Sequence, residues 1–170
     1  MALEFTILTA ARTNEVRLAQ RGEIDLDVAL WTIPAKRMKG GREHVVPLSP
    51  RAVDILREVM KIPDNQHLFA GRKPGKPLAK TAMERVLIRM KVTEATVHGF
   101  RSSLRDWCGD CTPFARDVVE AALAHAIGNK VEAAYRRSTA LSKRAELMRA
   151  WERFCCTPQA QNVVLFRGAS

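Results

Sequence analysis

Six cationic or titratable side chains in this 170-residue chain are of types that suit chemistry on a phosphate group. Guanidinium groups bind phosphate oxygens through paired N–H donors, lysine and histidine can transfer protons, and tyrosine can act as a nucleophile. Each side chain also has an ordinary explanation, as a solvated helix-end cation, a turn residue, a core histidine or a half-buried tyrosine. In chain order the six are Arg12, Lys39, His98, Arg101, His125 and Tyr135.

The spacing of four of these residues favours a shared role. His98 and Arg101 are three residues apart, so on a helix they share one face, just behind a predicted helix start near Thr96. A helix amino terminus offers free N–H groups and the positive end of the dipole, which suits a phosphate oxygen. Arg12 lies at a break between two predicted helices, and Lys39 lies at the tip of a predicted hairpin. Such cations are suited to clamping one phosphodiester.

The elements that must position these residues are mostly helical. Periodicity and capping residues predict helices at about 1–11, 13–20, 50–61, 81–90, 96–107, 114–124, 131–137 and 142–154. Two β-rich runs, 28–34 and 44–48, flank a basic, glycine-containing turn and predict a hairpin. Ser49 and Pro50 have the residue types of an N-cap and a first helical position. We therefore predict a mainly α fold with a small antiparallel β-sheet, in the α+β class.

Charge and composition narrow the class of partner. Lysine and arginine outnumber aspartate and glutamate by 28 to 18, which suits a polyanion such as nucleic acid, although charge alone leaves a protein without that role equally open. No apolar stretch approaches the roughly 20 residues of a membrane span, and no signal-peptide pattern is present, so we expect a cytoplasmic protein without membrane contact. The first two cysteines form a C-x-x-C pair, which could suggest zinc or redox chemistry, but the other two are adjacent and no histidine pair has zinc-finger spacing. The four are therefore predicted to be reduced structural thiols. They are Cys108, Cys111, Cys155 and Cys156.

Two boxes in the first third of the chain resemble motifs of the tyrosine site-specific recombinases. LTAARTNEVRLAQ resembles their first arginine motif, with Arg12 at the catalytic arginine and Glu15 at its acidic companion. RMKGGREHVVPLS resembles their β-hairpin, with Lys39 at the catalytic lysine.

Two further boxes follow in the family's order. TVHGFRSS matches the H-x-x-R box with His98 and Arg101, and LAHAIGNKVEAAYRRS resembles the last box with His125 and the nucleophile Tyr135. The resemblance runs to about Trp151 and is closest in character to integrases of temperate phages and genomic islands. Four motifs in order form a specific signal, whereas H-x-x-R alone would be a weak one.

The chain departs from the family pattern without losing a catalytic side chain. The family commonly has Leu-Gly-His where this chain has Leu123-Ala124-His125, and Ala11 stands near a position that is often glycine. The gap from His125 to Tyr135 is one residue longer than in some members. These departures bear on subfamily and helix placement more than on activity.

The resemblance implies the fold of the DNA breaking-rejoining catalytic domain and transesterification at a DNA phosphodiester. Tyr135 would attack the phosphorus to give a 3′-phosphotyrosyl link and a free 5′-hydroxyl, without ATP, cofactor or divalent metal. Arg12 and Arg101 would bind the non-bridging oxygens, and Lys39 would protonate the leaving oxygen. His98 would assist acid–base transfer, His125 would bind phosphate, and Glu15 would orient Arg12 or support its helix from behind the site.

The same resemblance implies a domain organisation and partners. Residues 1–156 would be the integrase catalytic domain and 157–170 a C-terminal tail, packed either on its own subunit or on a neighbour. The core-binding and arm-binding domains that precede this domain in full-length members are absent, so we expect a fragment. The implied partner is double-stranded DNA at attachment sites, bound by a homotetramer of the full-length protein. Accessory DNA-bending or excision factors would join it in integrating or excising a mobile element.

Two other functions stay open. A type IB topoisomerase-like enzyme would nick and close DNA by the same chemistry, and would relax supercoils without recombinant product. A decayed prophage remnant would bind DNA and form no covalent adduct.

Overall fold

A nearly uniformly apolar helix runs through the centre of the fold. The computed structural model describes residues 1–62, 66–125 and 137–157, with the backbone alone for 137–140. Helix α1 spans Ala2–Thr9 (ALEFTILT) and contacts three helices and the long C-terminal helix. Its two threonines are buried because each hydroxyl donates to a carbonyl one turn back, Thr6 Oγ1 to Ala2 O at 2.8 Å and Thr9 Oγ1 to Phe5 O at 2.6 Å. Hydroxyl groups on the buried faces of a helix need such hydrogen-bond partners within the protein.

The remaining elements follow in chain order. Helix α2 is Thr13–Arg17, and the strands are β1 Ile24–Asp25, β2 Leu30–Ile33 and β3 His44–Pro47. Helices α3 to α7 are Pro50–Met60, Ala82–Arg89, Gly99–Cys111, Arg116–Ala122 and Arg137–Cys156. Short 3-10 turns lie at Arg21–Glu23 and Ala35–Arg37. The expected mainly α fold with a small antiparallel sheet is confirmed.

The sheet has three antiparallel strands in the order β1-β2-β3. Strand β2 pairs with β3 in a register that places Ile33 opposite His44 and Trp31 opposite Val46. Trp31 and Ile33 point to one face and are fully buried, as the two-residue period of a half-buried strand requires. Trp31 packs on Phe5 of α1, with ring centroids 5.5 Å apart.

Two hydrophobic clusters meet at the carboxyl end of α1. The first joins α1, the sheet, α3 and α4, and the second joins α5, α6 and α7. Ala11 belongs to the first cluster, Ala10 to the second, and Ile7 packs against both. Trp151 of α7 donates from Nε1 to the carbonyl of Ile7 at 2.9 Å. The chain that leaves α1 therefore lies at the junction of the two clusters.

The observed elements differ from the predicted ones mainly at their ends. The helix predicted from Thr96 begins at Gly99, and the final helix begins at residue 137 rather than 142. The predicted hairpin gains a third strand of two residues, Ile24–Asp25. Ser49 is the N-cap of α3 as expected, but its hydroxyl is buried without a hydrogen-bond partner among the described residues. The helix predicted at 131–137 lies, apart from its last residue, outside the described residues.

The cysteines of the chain form no disulfide. All four thiols are free. Cys108 packs in the second cluster and the other three are exposed, so only Cys108 has the structural role that burial gives.

Within the described ranges, no helix combines the length and apolarity that crossing a bilayer requires.

Candidate active site

Arg12 is held by the carboxylate of Glu15 at the break between α1 and α2. Its backbone N–H donates to Glu15 Oε2 and its Nη1 donates to Glu15 Oε1, both at 2.8 Å. The Glu15 side chain is 4% exposed and that of Arg12 is 26% exposed. A buried carboxylate thus fixes both ends of an arginine whose guanidinium still reaches solvent. The expected contact between Glu15 and Arg12 is present.

Arg101 lies in the first turn of α5 and is buried, at 6% exposure. Its Nη1 donates to the carbonyl of Ala10, and its Nη2 donates to the carbonyl of Leu123 at 2.7 Å. These carbonyls end α1 and α6, where the negative end of the helix dipole favours a cation. Two of the five N–H donors of the guanidinium are used in this way, which fixes its plane.

The two guanidinium groups lie close enough to repel each other. Burial, followed by the charge of Arg12, lowers the pKa of Arg101 to about 10, while the charge of Glu15 opposes this change. Arg101 therefore stays cationic at neutral pH. Two positive charges face one carboxylate, so the local charge is positive and an anion bound there would relieve the repulsion.

Two alanines with a left-handed backbone lie at the carbonyls that bind Arg101. Ala10 has φ 47° and Ala124 has φ 51°, a conformation that costs a residue with a Cβ roughly 1–2 kcal/mol. Ala10 contributes the carbonyl that Arg101 contacts, and Ala124 follows the other carbonyl, that of Leu123. A glycine at position 124 would adopt this backbone without strain, which explains why Leu-Gly-His suits the motif. Such strain is common where side chains must be held in a fixed arrangement.

Ala124 also turns the chain so that His125 meets Glu120. The N–H of Ala124 donates to Ala121 O at 3.2 Å and that of His125 donates to Glu120 O at 3.0 Å, which is the Schellman pattern of a helix end. His125 Nδ1 is 2.5 Å from Glu120 Oε2, and Glu120 Oε1 is 3.6 Å from Arg105 Nε. With Nδ1 bound to the carboxylate, Nε2 remains for another partner.

Glu120 is a candidate site residue that the sequence analysis missed. The predicted helix continues to 124, and residues five apart on a helix do not share a face. Helix α6 instead ends at Ala122, and the left-handed turn brings the two side chains together. An αL alanine gives no strong signal in a sequence, whereas a glycine at this position would have predicted the helix end.

His98 is exposed at the start of α5. It is the N-cap residue of the helix, while the hydroxyl of Thr96 accepts the N–H of Gly99 at 2.9 Å. His98 and Thr13 both line a cavity of about 510 Å³ between α4 and the start of α5. Since Thr13 follows Arg12, His98 lies on the same side of the molecule as Arg12.

Lys39 and Tyr135 are not joined to these residues by any described contact. Lys39 is exposed on the turn between β2 and β3, as expected for a hairpin tip. Among the described residues, no hydrogen bond or ion pair connects it to Arg12, Arg101 or the two histidines. Tyr135 lies in the segment 126–136, outside the described residues, two positions before α7 begins.

His44, at the start of β3, is a second residue that the sequence analysis missed. Burial, followed by the charge of Arg144, lowers the pKa of His44 to about 4. The carboxylate of Glu15 and a hydrogen bond to the backbone of Ala122 oppose this change, and the charge of Arg101 adds to it. Neutral His44 of the hairpin therefore packs against the end of α6, near Arg144 of α7. Only tertiary packing creates this position, because in sequence His44 is the first residue of a strand.

The pKa of His44 predicts how stability depends on pH. The folded pKa of about 4 lies below the unfolded value of about 6.5, so between these values the unfolded chain binds a proton that the folded chain does not. The free energy of unfolding therefore falls as the pH is lowered from 6.5 to 4, with a contribution from this half-buried group on the order of 2 kcal/mol. Urea unfolding of wild type and His44→Gln across pH 4–7 measures it. Because the carboxylates titrate in both proteins, the difference between the curves isolates His44, and parallel curves would contradict the assignment.

Comparison with known proteins identifies the family of this chain. The family model described as the phage integrase family matches residues 1–141. The chain belongs to the phage integrase family. The resemblance to tyrosine recombinases that the four boxes indicated is confirmed.

Relatives and a solved structure agree with this membership in the phage integrase family. The chain is 37% identical to the prophage integrase IntA of Escherichia coli (strain K12) over 163 residues, covering 94% of this chain and 39% of that protein. It is 34% identical to the integrase of Enterobacteria phage P4 over 169 residues, covering 89% of this chain and 38% of that protein. The integrase of mycobacterium phage Brujita has the same fold, with a TM-score of 0.66 at 20% identity over 90% of this chain and 51% of that one. The chain thus spans about two fifths of the length of these curated relatives.

Proposed function

We propose that this chain performs the strand cleavage and rejoining steps of site-specific DNA recombination. The observation that carries the proposal is the pair of guanidinium groups, Arg12 and Arg101, held together with one compensating carboxylate, Glu15. An uncompensated positive charge on rigidly held fork-shaped donors suits a phosphodiester, whose negative charge increases during transfer. The names of the relatives, phage and prophage integrases, support the same reaction.

In the proposed reaction, the phenolic oxygen of Tyr135 forms a bond to the scissile phosphorus as the bond from phosphorus to the 5′-oxygen breaks. The tyrosine proton is lost and the leaving oxygen gains one, for which Lys39 on the hairpin turn is the proposed donor. The reverse attack by a 5′-hydroxyl restores the DNA backbone, so the energy of the original bond is kept in the covalent intermediate.

The remaining side chains bind and orient the phosphate in this proposal. Arg12 and Arg101 bind the non-bridging oxygens, which supplies the positive charge that a metal ion supplies in many other phosphoryl-transfer enzymes. His98 assists proton transfer, and His125, with Nδ1 on Glu120, contributes Nε2 to the phosphate. Glu15 acts by fixing Arg12.

The partners of the whole protein belong to the proposal as well. We expect a cytoplasmic protein that acts on double-stranded DNA at attachment sites, as a homotetramer of the full-length chain. Residues 1–156 would form its catalytic domain and 157–170 a C-terminal tail. Accessory DNA-bending or excision factors would set the balance between integration and excision.

A nicked duplex that traps the intermediate tests the proposal. The full-length protein is incubated in EDTA with a duplex built from the ends of the parent element, in which cleavage releases a short strand that diffuses away. We expect a covalent protein–DNA band on a denaturing gel. Binding in a gel shift without such a band would overturn the proposed function in favour of a DNA-binding remnant. Supercoil relaxation without recombinant product would favour the topoisomerase-like reaction instead.

Substitution of Glu120 tests its part in the reaction. Glu120→Ala removes the partner of His125 Nδ1, so we expect single-turnover cleavage at saturating DNA to fall about 10-fold to 100-fold through misplacement of the ring. Glu120→Gln keeps an oxygen acceptor and is expected to lose less. Glu58→Ala, an exposed glutamate on α3, is the matched control. Equal rates for Glu120→Ala and Glu58→Ala would remove Glu120 from the mechanism.

A further inference from the structure

Residues 70–80 form a small hairpin that carries four exposed cations and no acidic residue. A bridge pairs Ala70 with Pro77, and the chain from 65 to 83 contains no aspartate or glutamate. Among the described residues, none of these four cations has an ion-pair partner. They are Arg72, Lys73, Lys76 and Lys80. We call this segment the basic hairpin.

The backbone of the basic hairpin is specified by its sequence. Lys76 N–H donates to Lys73 O at 3.1 Å around Pro74 and Gly75, and Gly75 has φ 68°. Proline at the second position and a left-handed glycine at the third are the requirements of a type II turn. The N–H of Gly71 donates to Lys76 O at 2.8 Å. A Cβ at Gly71 would lie 2.4 Å from the carbonyl oxygen of Pro77, so only glycine allows the two arms to come this close.

The base of the basic hairpin is attached to the elements that carry the candidate active site. Arg17 of α2 donates from Nε to Leu78 O at 3.1 Å, and Leu68 N–H donates to Ala19 O at 2.8 Å. Phe69 packs on Phe5 of α1, with ring centroids 5.5 Å apart. The cations are thus presented from a fixed base on α1 and α2, the helices that flank Arg12.

We propose that the basic hairpin is a second DNA contact, which binds backbone phosphates of the duplex beside the cleaved bond. This inference rests on the proposed function and adds a surface to it. Unpaired cations in a row attract a polyanion through release of its counterions, independently of base sequence. Because the turn is already ordered, binding costs little loop entropy. A solvated basic face that only aids solubility is the alternative.

Salt-dependent binding separates these two possibilities. The test variant of the full-length protein combines Arg72→Ala, Lys73→Ala and Lys76→Ala, which leaves the turn glycines and proline in place. The control combines Lys143→Ala, Arg149→Ala and Arg153→Ala, which removes three exposed cations from α7. Both variants lose the same charge. Fluorescence anisotropy with a duplex at several salt concentrations gives Kd and the slope of log K against log salt, and thermal unfolding checks that both variants fold.

Each phosphate contact contributes roughly 0.9 to the slope of log K against log salt, so we expect the slope of the test variant to be smaller in magnitude by about 2.7. We expect the same variant to bind on the order of 100-fold more weakly at 0.1 M salt. The control variant is expected to change far less. The test variant should still cleave at the wild-type rate on saturating duplex, and Arg72→Lys alone should keep the wild-type slope. Equal losses in the test and control variants, while wild type binds and cleaves, would overturn the hairpin proposal alone. Failure of wild type to bind any duplex would overturn the proposed function as well.

Discussion

We expect Tyr135→Phe to abolish the covalent protein–DNA adduct and to leave duplex binding within about twofold of wild type. Phenylalanine keeps the ring and removes the phenolic oxygen, which is the atom proposed to form the bond to phosphorus. Loss of a nucleophile lowers the rate of chemistry by about 10⁴-fold or more. Tyr135 is the only tyrosine in the chain, so no second phenol can replace it. The measurement is the yield of adduct on the trapping duplex, with a gel shift on the same samples.

A control substitution at another aromatic residue checks that the loss is specific to position 135. Phe154→Leu alters an exposed aromatic side chain on α7 and is expected to keep adduct formation near the wild-type yield. An adduct that forms in Tyr135→Phe would move the nucleophile to another residue. A loss of DNA binding in that variant would indicate a structural role for the ring.

We expect Arg101→Lys to keep the positive charge and still to lose most of the proposed activity. Lysine has one ammonium group, which cannot reach the carbonyls of Ala10 and Leu123 and also present paired donors to a phosphate. We expect single-turnover cleavage to fall about 10²-fold to 10³-fold at saturating DNA, the scale of losing one oxyanion donor. The folded state should also lose about 1–3 kcal/mol, because buried carbonyls lose their donors.

Two measurements on Arg101→Lys check this argument. Quench-flow cleavage gives the chemical step, and urea unfolding gives the stability. Arg57→Lys, on the exposed face of α3, is the control and should change neither quantity. Cleavage by Arg101→Lys within threefold of wild type would mean that charge alone suffices and that the fork geometry is not needed.

The part of the site that the sequence predicts is the part encoded locally. Arg12 and Glu15 are three residues apart at a helix start, so short-range geometry brings their side chains together. His98 and Arg101 are also three residues apart, and both lie at the start of α5. His44 and Glu120 were missed for a different reason. His44 depends on packing of the hairpin against α6 and α7, and Glu120 depends on an alanine in a left-handed turn. Neither feature leaves a periodic signal.

The same distinction applies to the fold. The β-rich run 28–34 predicts β2, and Ser49 with Pro50 predicts the start of α3, because both signals lie within a few neighbouring residues. Strand β1 is two residues long, which is too short for any period. Helix α5 starts at Gly99 although Thr96 has the stronger capping preference, and the Thr96 hydroxyl still serves as an acceptor for the first N–H of the helix. The residue whose side chain caps the helix, Thr96, therefore precedes the N-cap residue, His98, by two positions.

The anchoring of Arg101 links the assembly of the candidate site to the folding of both hydrophobic clusters. Its carbonyl partners, Ala10 and Leu123, belong to the second hydrophobic cluster, whereas α2, which carries Glu15 and begins directly after Arg12, packs on the first. The two guanidinium groups come together only after both clusters have formed and joined. A chain emerging from the ribosome, or one damaged and partly unfolded, would therefore have no assembled phosphate site. Under the proposed function, such a chain would be unable to break a chromosome.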